Sequence, residues 1–452
     1  MQSDRLRRQY RMKKLFVVSL ALLGGILTAQ AQQTLELTVD KAIQLGLDNS
    51  KALHASLMRL NYADAKSSEV NALRLPNLKF VGGYTRLSDV PPFAVTLPAQ
   101  LGGNSFTLAP SVLNNYAMKV SLEQPLFTGF KLDAASAAAD YSAKAYEQEY
   151  ARSKSDLVYN VRLAYWNLFK ARELKKVTDE NVEQVKAHLK DVELMLEQGM
   201  ATMSDVLNVQ VQLSDAQLRQ IEADNNVQLA MISLNNTIGI PLQTSIVIDS
   251  DITHTASANY ANLNSLMERA MEKRPELKAM EYRVRAAEAG VTAAKAGWWP
   301  QIFLSANYNY NRPNQRIQPM QDMFKDTWDV TLGVSLDIWN WGKTLHQTDQ
   351  AGAQYEEAKD ALTQVRDQIT LEITQAYLTL NQAKERTVVA EMGVQQAQES
   401  YRVTNKRFKE GLAPNSDMLD AEVALLTAKT KYTQALVDYE LAEARLQRVI
   451  GE

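Results

Sequence analysis

Between Trp328 and Ile338 the chain reads WDVTLGVSLDI. Trp328, Val330, Leu332, Val334, Leu336 and Ile338 alternate with Asp329, Thr331, Gly333, Ser335 and Asp337. Successive strand side chains point to opposite faces, so this alternation predicts a strand with one apolar and one polar face. Tyr116, Met118, Val120 and Leu122 repeat the pattern, Ile302, Leu304, Ala306, Tyr308 and Tyr310 form a third such face, and Leu78, Phe80, Gly82 and Tyr84 a weaker fourth. The predicted strands are 78–88, 116–126, 301–310 and 328–338. Elsewhere the period is helical. Residues 131–198 and 343–410 run without a proline, and at 1.5 Å per residue each makes a rod of about 100 Å. Val158, Val161, Tyr165 and Leu168, like Thr370, Ile373, Tyr377 and Leu380, have the 3-4-3 spacing of a supercoiled seam. Gly199 and Gly411 stop the rods. Return helices 204–238 and 416–450 follow, with Ser204 and Ser416 predicted as N-caps and Asp205 and Asp417 just behind them. Residues 36–74 and 262–298 are also predicted helices, the second with Pro275 in a first turn, ended by Pro76 and Pro300.

These elements occur twice. VRLAYWNL (161–168) matches ITQAYLTL (373–380) at an offset of 212, which also aligns EQGMATMSDVLNVQVQL (197–213) with KEGLAPNSDMLDAEVAL (409–425) and QPLFTGFK (124–131) with LDIWNWGK (336–343). Nearer each repeat's start the offset is 224, so the first copy holds about 12 extra residues between Pro76 and Phe127. The expected organisation is a first repeat at 32–241, a polar linker at 242–261 and a second repeat at 262–452, with no ordinary hydrophobic core.

At the N-terminus Lys13 and Lys14 precede the apolar run Leu15–Leu27, and Ala29-Gln30-Ala31 has small residues at both cleavage subsites. This predicts a secretory signal peptide at 1–31, the run being short for a membrane span. Its removal takes out six basic and one acidic side chains and moves the formal charge from −3 to −8. Such a chain is no basic nucleic-acid binder. Cysteine is absent, which excludes disulfides, thiolate chemistry and a lipidated N-terminal cysteine.

Strands of 9–11 residues with one apolar face, edged by aromatics, fit a transmembrane barrel. A half-buried strand of a soluble sheet alternates in the same way, but little in this chain is left to cover such a sheet. Four strands leave two open edges, which a bilayer does not tolerate. Copies must therefore share a barrel in outer-membrane lipid. A dimer gives eight strands and a nearly filled interior; a homotrimer gives 12 and a conducting lumen, and is preferred.

The signal peptide, the duplicated helix–strand–strand–rod–helix unit and the segments LEQPLFTGFK (122–131), LEQGMATMSDVLNVQ (196–210) and FKEGLAPNSDMLDA (408–421) together resemble the outer-membrane efflux proteins of the TolC type. The resemblance implies a mainly α fold with a small transmembrane β part: a duplicated α–β–β–α–α unit whose homotrimer forms a 12-stranded β-barrel continued by a long periplasmic α-helical coiled-coil barrel. It implies passive export through a tripartite system, with a periplasmic adaptor and an inner-membrane pump of the RND type as partners. A protein-secretion duct of the same fold is the alternative. By the same resemblance Leu196, Gly199, Met200, Ser204, Gly411, Leu412 and Ser416 form adaptor-docking hairpin tips. Asp417 and Asp420, with Asp205, form the periplasmic gate. Pro125, Phe127, Gly129, Trp339 and Gly342 make the strand-to-helix junctions. Asn208 replaces the second gate carboxylate in the first repeat, and Pro414 and Met203 make the two tips unequal.

An enzyme is not expected. Ser204 and Ser416 have no histidine near in sequence, His54, His188, His254 and His346 show no metal-ligand spacing, and neither cofactor nor metal is anticipated. A non-conducting coiled-coil scaffold would explain the rods but not the four strands.

Overall fold

The computed structural model describes residues 35–91, 93–109, 111–248, 260, 262–318 and 320–452. The expected signal peptide lies outside them, as do residues 249–259 and 261 of the linker. Strand β1 (Leu35–Leu37) leads into helices α1 (Val39–Asn49) and α2 (Lys51–Ala72), strands β2 (Asn77–Arg86), β3 (Phe93–Thr96), β4 (Ser105–Ala109) and β5 (Asn114–Phe127), then helices α3 (Lys131–Glu197) and α4 (Met203–Ile238). After β6 (Ile246–Ile248) come α5 (Leu263–Lys273), α6 (Pro275–Ala294), β7 (Gln301–Arg312), β8 (Lys325–Ser335), α7 (Lys343–Lys409) and α8 (Asn415–Val449).

The helices expected over 36–74 and 262–298 are each broken. Ser50 has extended backbone, and its hydroxyl accepts the Leu53 amide at 3.2 Å to start α2. Arg274 is extended because it precedes Pro275, whose ring disfavours helical geometry in the preceding residue. Residues 35–37 are a strand, not helix: β1 pairs in parallel with β6, Leu35 to Ile246 and Leu37 to Ile248. That pair belongs to a core the sequence reading did not anticipate. Leu37 and Ile246 are buried with Val161, Tyr165, Leu168, Leu234 and Ile238, and the Tyr165 hydroxyl donates to the Leu37 carbonyl at 3.1 Å. A second core at the matching height joins Leu266, Ile369, Ile373, Leu380, Leu446 and Ile450.

The four long strands form one antiparallel sheet in the order β2-β5-β7-β8. Its register aligns apolar rows across all four strands, Leu78–Leu122–Ala306–Val330 and Phe80–Val120–Tyr308–Trp328, and between them rows that are polar apart from Val81, Lys79–Ser121–Asn307–Asp329 and Val81–Lys119–Asn309–Thr327. Directly opposed residues share a face, so one surface is almost wholly apolar. Phe80, Trp328, Val330 and Leu332 are each more than 60 % exposed on it. β8 ends three residues before the expected strand does. Ser335 pairs with Gln301, the residue after Pro300, so Leu336 and Ile338 have no neighbour on β7 to pair with. The 12-residue excess of the first repeat goes into the β3–β4 hairpin, antiparallel and outside the main sheet.

Each long strand continues into one helix. α2 runs into β2, β5 into α3, α6 into β7 and β8 into α7, and α3 packs on α2 and α6 while α6 packs on α7. Helices and strands therefore share one lateral order. Below the equatorial cores α4 and α8 replace α2 and α6, with α4 on α3, α3 on α8 and α8 on α7.

The two strand-to-rod junctions use consecutive left-handed residues, Gly129 (φ 63°) and Phe130 (φ 68°) in one repeat, Trp341 (φ 55°) and Gly342 (φ 77°) in the other. Pro125, which has no amide hydrogen, lies where the β5–β7 register shifts before Phe127. Phe127 stands edge-on to Phe130, Phe130 to Trp299 and Trp339 to Trp341. The amphipathic indoles of Trp299, Trp339 and Trp341 favour the level of lipid headgroups. A Cβ on Gly129 would come within 2.6 Å of the Ala296 carbonyl oxygen and 2.8 Å of Trp299, backbone that cannot give way cheaply. Gly129→Ala is expected to cost about 2 kcal/mol, measured as a lowered denaturant midpoint. Gly83→Ala, with open space around it, serves as the mild control.

Candidate functional site

The ends of the two long hairpins are built alike. α3 stops at Gly199 (φ 72°), where the Gly199 and Met200 amides donate to the Leu196 and Met195 carbonyls at 2.9 and 2.8 Å. α7 stops at Gly411 (φ 70°), with the Gly411 and Leu412 amides donating to Phe408 and Arg407 at 2.9 and 2.8 Å. This helix-ending pair of bonds needs a left-handed residue, which glycine supplies without a Cβ clash. Met200 and Leu412 then project outward, 65 % and 64 % exposed, while Leu196 packs beneath with Val192, Val206 and Phe408.

The return helices do not start at the expected serines. Thr202 is the N-cap of α4: its hydroxyl accepts the Asp205 amide at 3.3 Å, and Asp205 Oδ2 accepts the Thr202 amide at 2.9 Å. The sequence signal for this reciprocal box was present, Thr202 three residues before an acid, but the nearer serine obscured it. In the second repeat Pro414 caps without a side-chain bond, at the same repeat offset as Thr202. Ser204 and Ser416 are exposed second residues of their helices.

The three gate aspartates consequently differ. The Thr202 hydroxyl and amide hold the Asp205 carboxyl below the usual carboxylate range, so this group is engaged locally. Asp417 and Asp420 are exposed on one face of α8, with Met418 buried between them. The tips lie side by side around a groove of about 510 Å³ whose lining includes Met200, Asp205, Gly411, Leu412 and Asn415. The Asn415 amide donates across it to the Asp205 carbonyl at 3.4 Å. Gly199, Ser204 and Ser416 are not among its lining residues. Just inside the tips is a contact that sequence reading missed: His188 of α3 meets Glu422 of α8, Nδ1 to Oε1 3.3 Å, both buried. No repeat signal marks it, because the equivalent residues are Ser400 and Gln210.

Among the described residues no group of three or more His, Asp or Glu side chains could hold a metal ion, and no helix is long and apolar enough to cross a membrane. The profile of the outer membrane efflux protein family matches residues 42–240 and 266–452. The chain belongs to that family. It is similar to the alkaline protease secretion protein AprF of Pseudomonas aeruginosa, 24% identical over 75% of this chain and 70% of AprF. Over 97% of this chain and 90% of the relative it is 22% identical to the outer membrane efflux protein BepC of Brucella suis. The crystal structure of the outer membrane protein VceC from Vibrio cholerae superposes with a TM-score of 0.76 at 18% identity, covering 91% of this chain and 96% of VceC. This efflux-family chain is an outer-membrane channel component of a tripartite efflux or secretion system, extending into the periplasm and working with an adaptor and an inner-membrane pump.

Because the Asp205 carboxyl titrates lower in the folded chain than in the unfolded one, its contribution is present above the unfolded value. It is lost as pH falls through the folded one. Thr202→Ala is therefore expected to cost about 1 kcal/mol at neutral pH and progressively less in acid, measured as denaturant midpoints across a pH series. An equal loss at every pH would contradict the capping box.

Proposed function

We propose that three copies of the chain close edge to edge into a 12-stranded barrel continued by a helical tunnel, and that the assembly exports small molecules passively from an adaptor and an RND-type pump. The observation that carries this reading is that strands and helices run out on the same two sides. β2 and β8 are the free edges of the sheet, and α2 or α4 and α7 are the edges of the helical layer. Joining the first edge of one copy to the second edge of the next satisfies both layers with one rotation, and such head-to-tail contacts form rings when the rotation closes. The helical edges also carry unspent apolar surface. Leu207, Val211, Leu218, Ile221 and Leu229 are exposed along α4, and Val388, Val389, Met392 and Val403 along α7.

In this reading 1–31 is a cleaved signal, and the repeats 32–241 and 262–452, joined through 242–261, make six similar units around the tunnel. Leu196, Gly199, Met200, Ser204, Gly411, Leu412 and Ser416 meet the adaptor. Asp417 and Asp420 from three copies ring the mouth and favour cations, while Asp205 mainly holds its own hairpin. Export of protein instead of small molecules is the second reading, favoured by the likeness to a protein named for protease secretion. Loss of the gene should raise cellular accumulation of small toxic compounds; an unchanged accumulation with proteins missing from the medium would favour the second reading.

In planar bilayers the purified protein is expected to conduct, and D417A/D420A to lose most cation preference and divalent block. Unchanged selectivity would sink the carboxylate ring. Ile221→Lys or Val389→Lys should abolish the assembled form on native gels, since each would bury a charge at the α4–α7 seam.

A further inference from the structure

The two hairpins of the main sheet are one hairpin written twice. Asn77 pairs with Glu123 in the first and Gln301 with Ser335 in the second, and the repeat offsets of 224 and 212 carry the first pair onto the second. The seam between the hairpins, β5 on β7, is therefore a template for a seam between β8 and the β2 of another copy. Inside the chain Leu122 faces Ala306, Glu123 faces Ser305, Gln124 faces Leu304 and Pro125 faces Phe303. Moved by the same offsets, these pairs become Val334 on Gly82, Ser335 on Val81, Leu336 on Phe80 and Asp337 on Lys79.

That register suits the chemistry of both edges. Leu336 and Phe80 are 51 % and 66 % exposed, apolar side chains with nothing beside them on the open edge. Lys79 and Asp337 are exposed and, among the described residues, make no ion pair. A slip of one residue would turn every side chain to the wrong face. A slip of two would set Asp337 against Val81 or Asn77 and leave Lys79 without an acid. The early end of β8 follows as well: Leu336 and Asp337 run past β7, and the next copy's β2 supplies their partners.

The helical layer repeats the relation in different chemistry. At the internal seam Asp156 of α3 pairs with Arg448 of α8 at 2.6 Å, and Arg152 of α3 with Glu276 of α6 at 3.7 Å. The same offsets give Gln368 on Asn236 and Gln364 on Ala52 at the outer seam. Ala52 and Asn236, with Ser50 and Asn160, line an open cavity of about 740 Å³ where α2 gives way to α4, and Gln364 and Gln368 are exposed on α7. Amides can enter an amide-lined cavity without the cost of desolvating a charge.

We infer that a second copy docks on the β8–α7 edge in this one register, resting on the ring reading above. Its Lys79 faces Asp337 across the barrel seam, its Phe80 covers Leu336, and its cavity at Asn236 receives Gln364 and Gln368. An exposed ion pair adds little strength. Its part is to select the register, since like charges placed directly opposite each other are unfavourable.

The chain has no cysteine, so the test is disulfide cross-linking of the full-length protein in outer-membrane fragments with a mild copper oxidant. Val81→Cys with Ser335→Cys brings directly opposed Cβ atoms within disulfide reach and should give a ladder of two and three linked chains on denaturing gels. Lys79→Cys or Gly83→Cys, each with Ser335→Cys, is two residues out of register, with Cβ atoms about 7–8 Å apart, and should link at no more than about a tenth of that yield. Lys79→Asp and Asp337→Lys should each lower the temperature at which the three-chain band dissociates, and K79D/D337K should restore it. That charge exchange decides the matter if a cysteine variant fails to assemble. A three-chain particle that links only out of register or not at all, or an exchange no better than the singles, overturns the register alone. A native particle that does not hold three chains overturns the ring reading and the register with it.

Discussion

A strand edge exposes backbone N–H and C=O groups that water can satisfy and hydrocarbon cannot, at several kcal/mol for each unpaired group. The sheet of this chain has two such edges, β2 and β8, and an apolar face suited to lipid. The rest of the architecture follows from that demand. In the proposed ring closure comes from other copies, since among the described residues the remaining strands pair elsewhere: β1 with β6 in the equatorial core and β3 with β4 in a separate hairpin. The helical layer inherits the same two edges, since every long strand continues into a helix in the same lateral order. In the proposed ring one chain is a sector of a wall.

A sector needs internal stiffness before it assembles. The two equatorial cores and the apolar cluster behind the tips supply it, binding rods about 100 Å long at two heights instead of along their whole length. At the wall's bend from sheet to rod, both repeats use two successive left-handed residues, with glycine in the first position in one and the second in the other. The partners Phe130 and Trp341 are large side chains in a conformation that costs such residues roughly 1–2 kcal/mol, and both belong to aromatic clusters.

Much of this was legible in the residues. Period-two alternation in WDVTLGVSLDI, the proline-free rods and the 212-residue offset locate the strands, the long helices and the duplication, and Gly199 and Gly411 mark the tips. What was missed has physical reasons. Leu35–Leu37 and Ile246–Ile248 are too short to show a period and pair across two hundred residues. The kinks at Ser50 and Arg274 fall inside continuous helical patterns, although Pro275 announced the second. Thr202 hid behind a serine that is an equally good cap by type. His188 and Glu422 look like ordinary polar residues on rod surfaces until the fold brings their helices together.

The central claim is that the chain is complete only as one third of a ring, and the number of copies in the detergent-extracted particle tests it most directly. The mass of the protein component, with bound detergent subtracted, should equal three chains, and heating should reduce it to one. A stable monomer with a folded β-sheet, or a dimer, would contradict the account, because neither closes a 12-stranded wall from these edges.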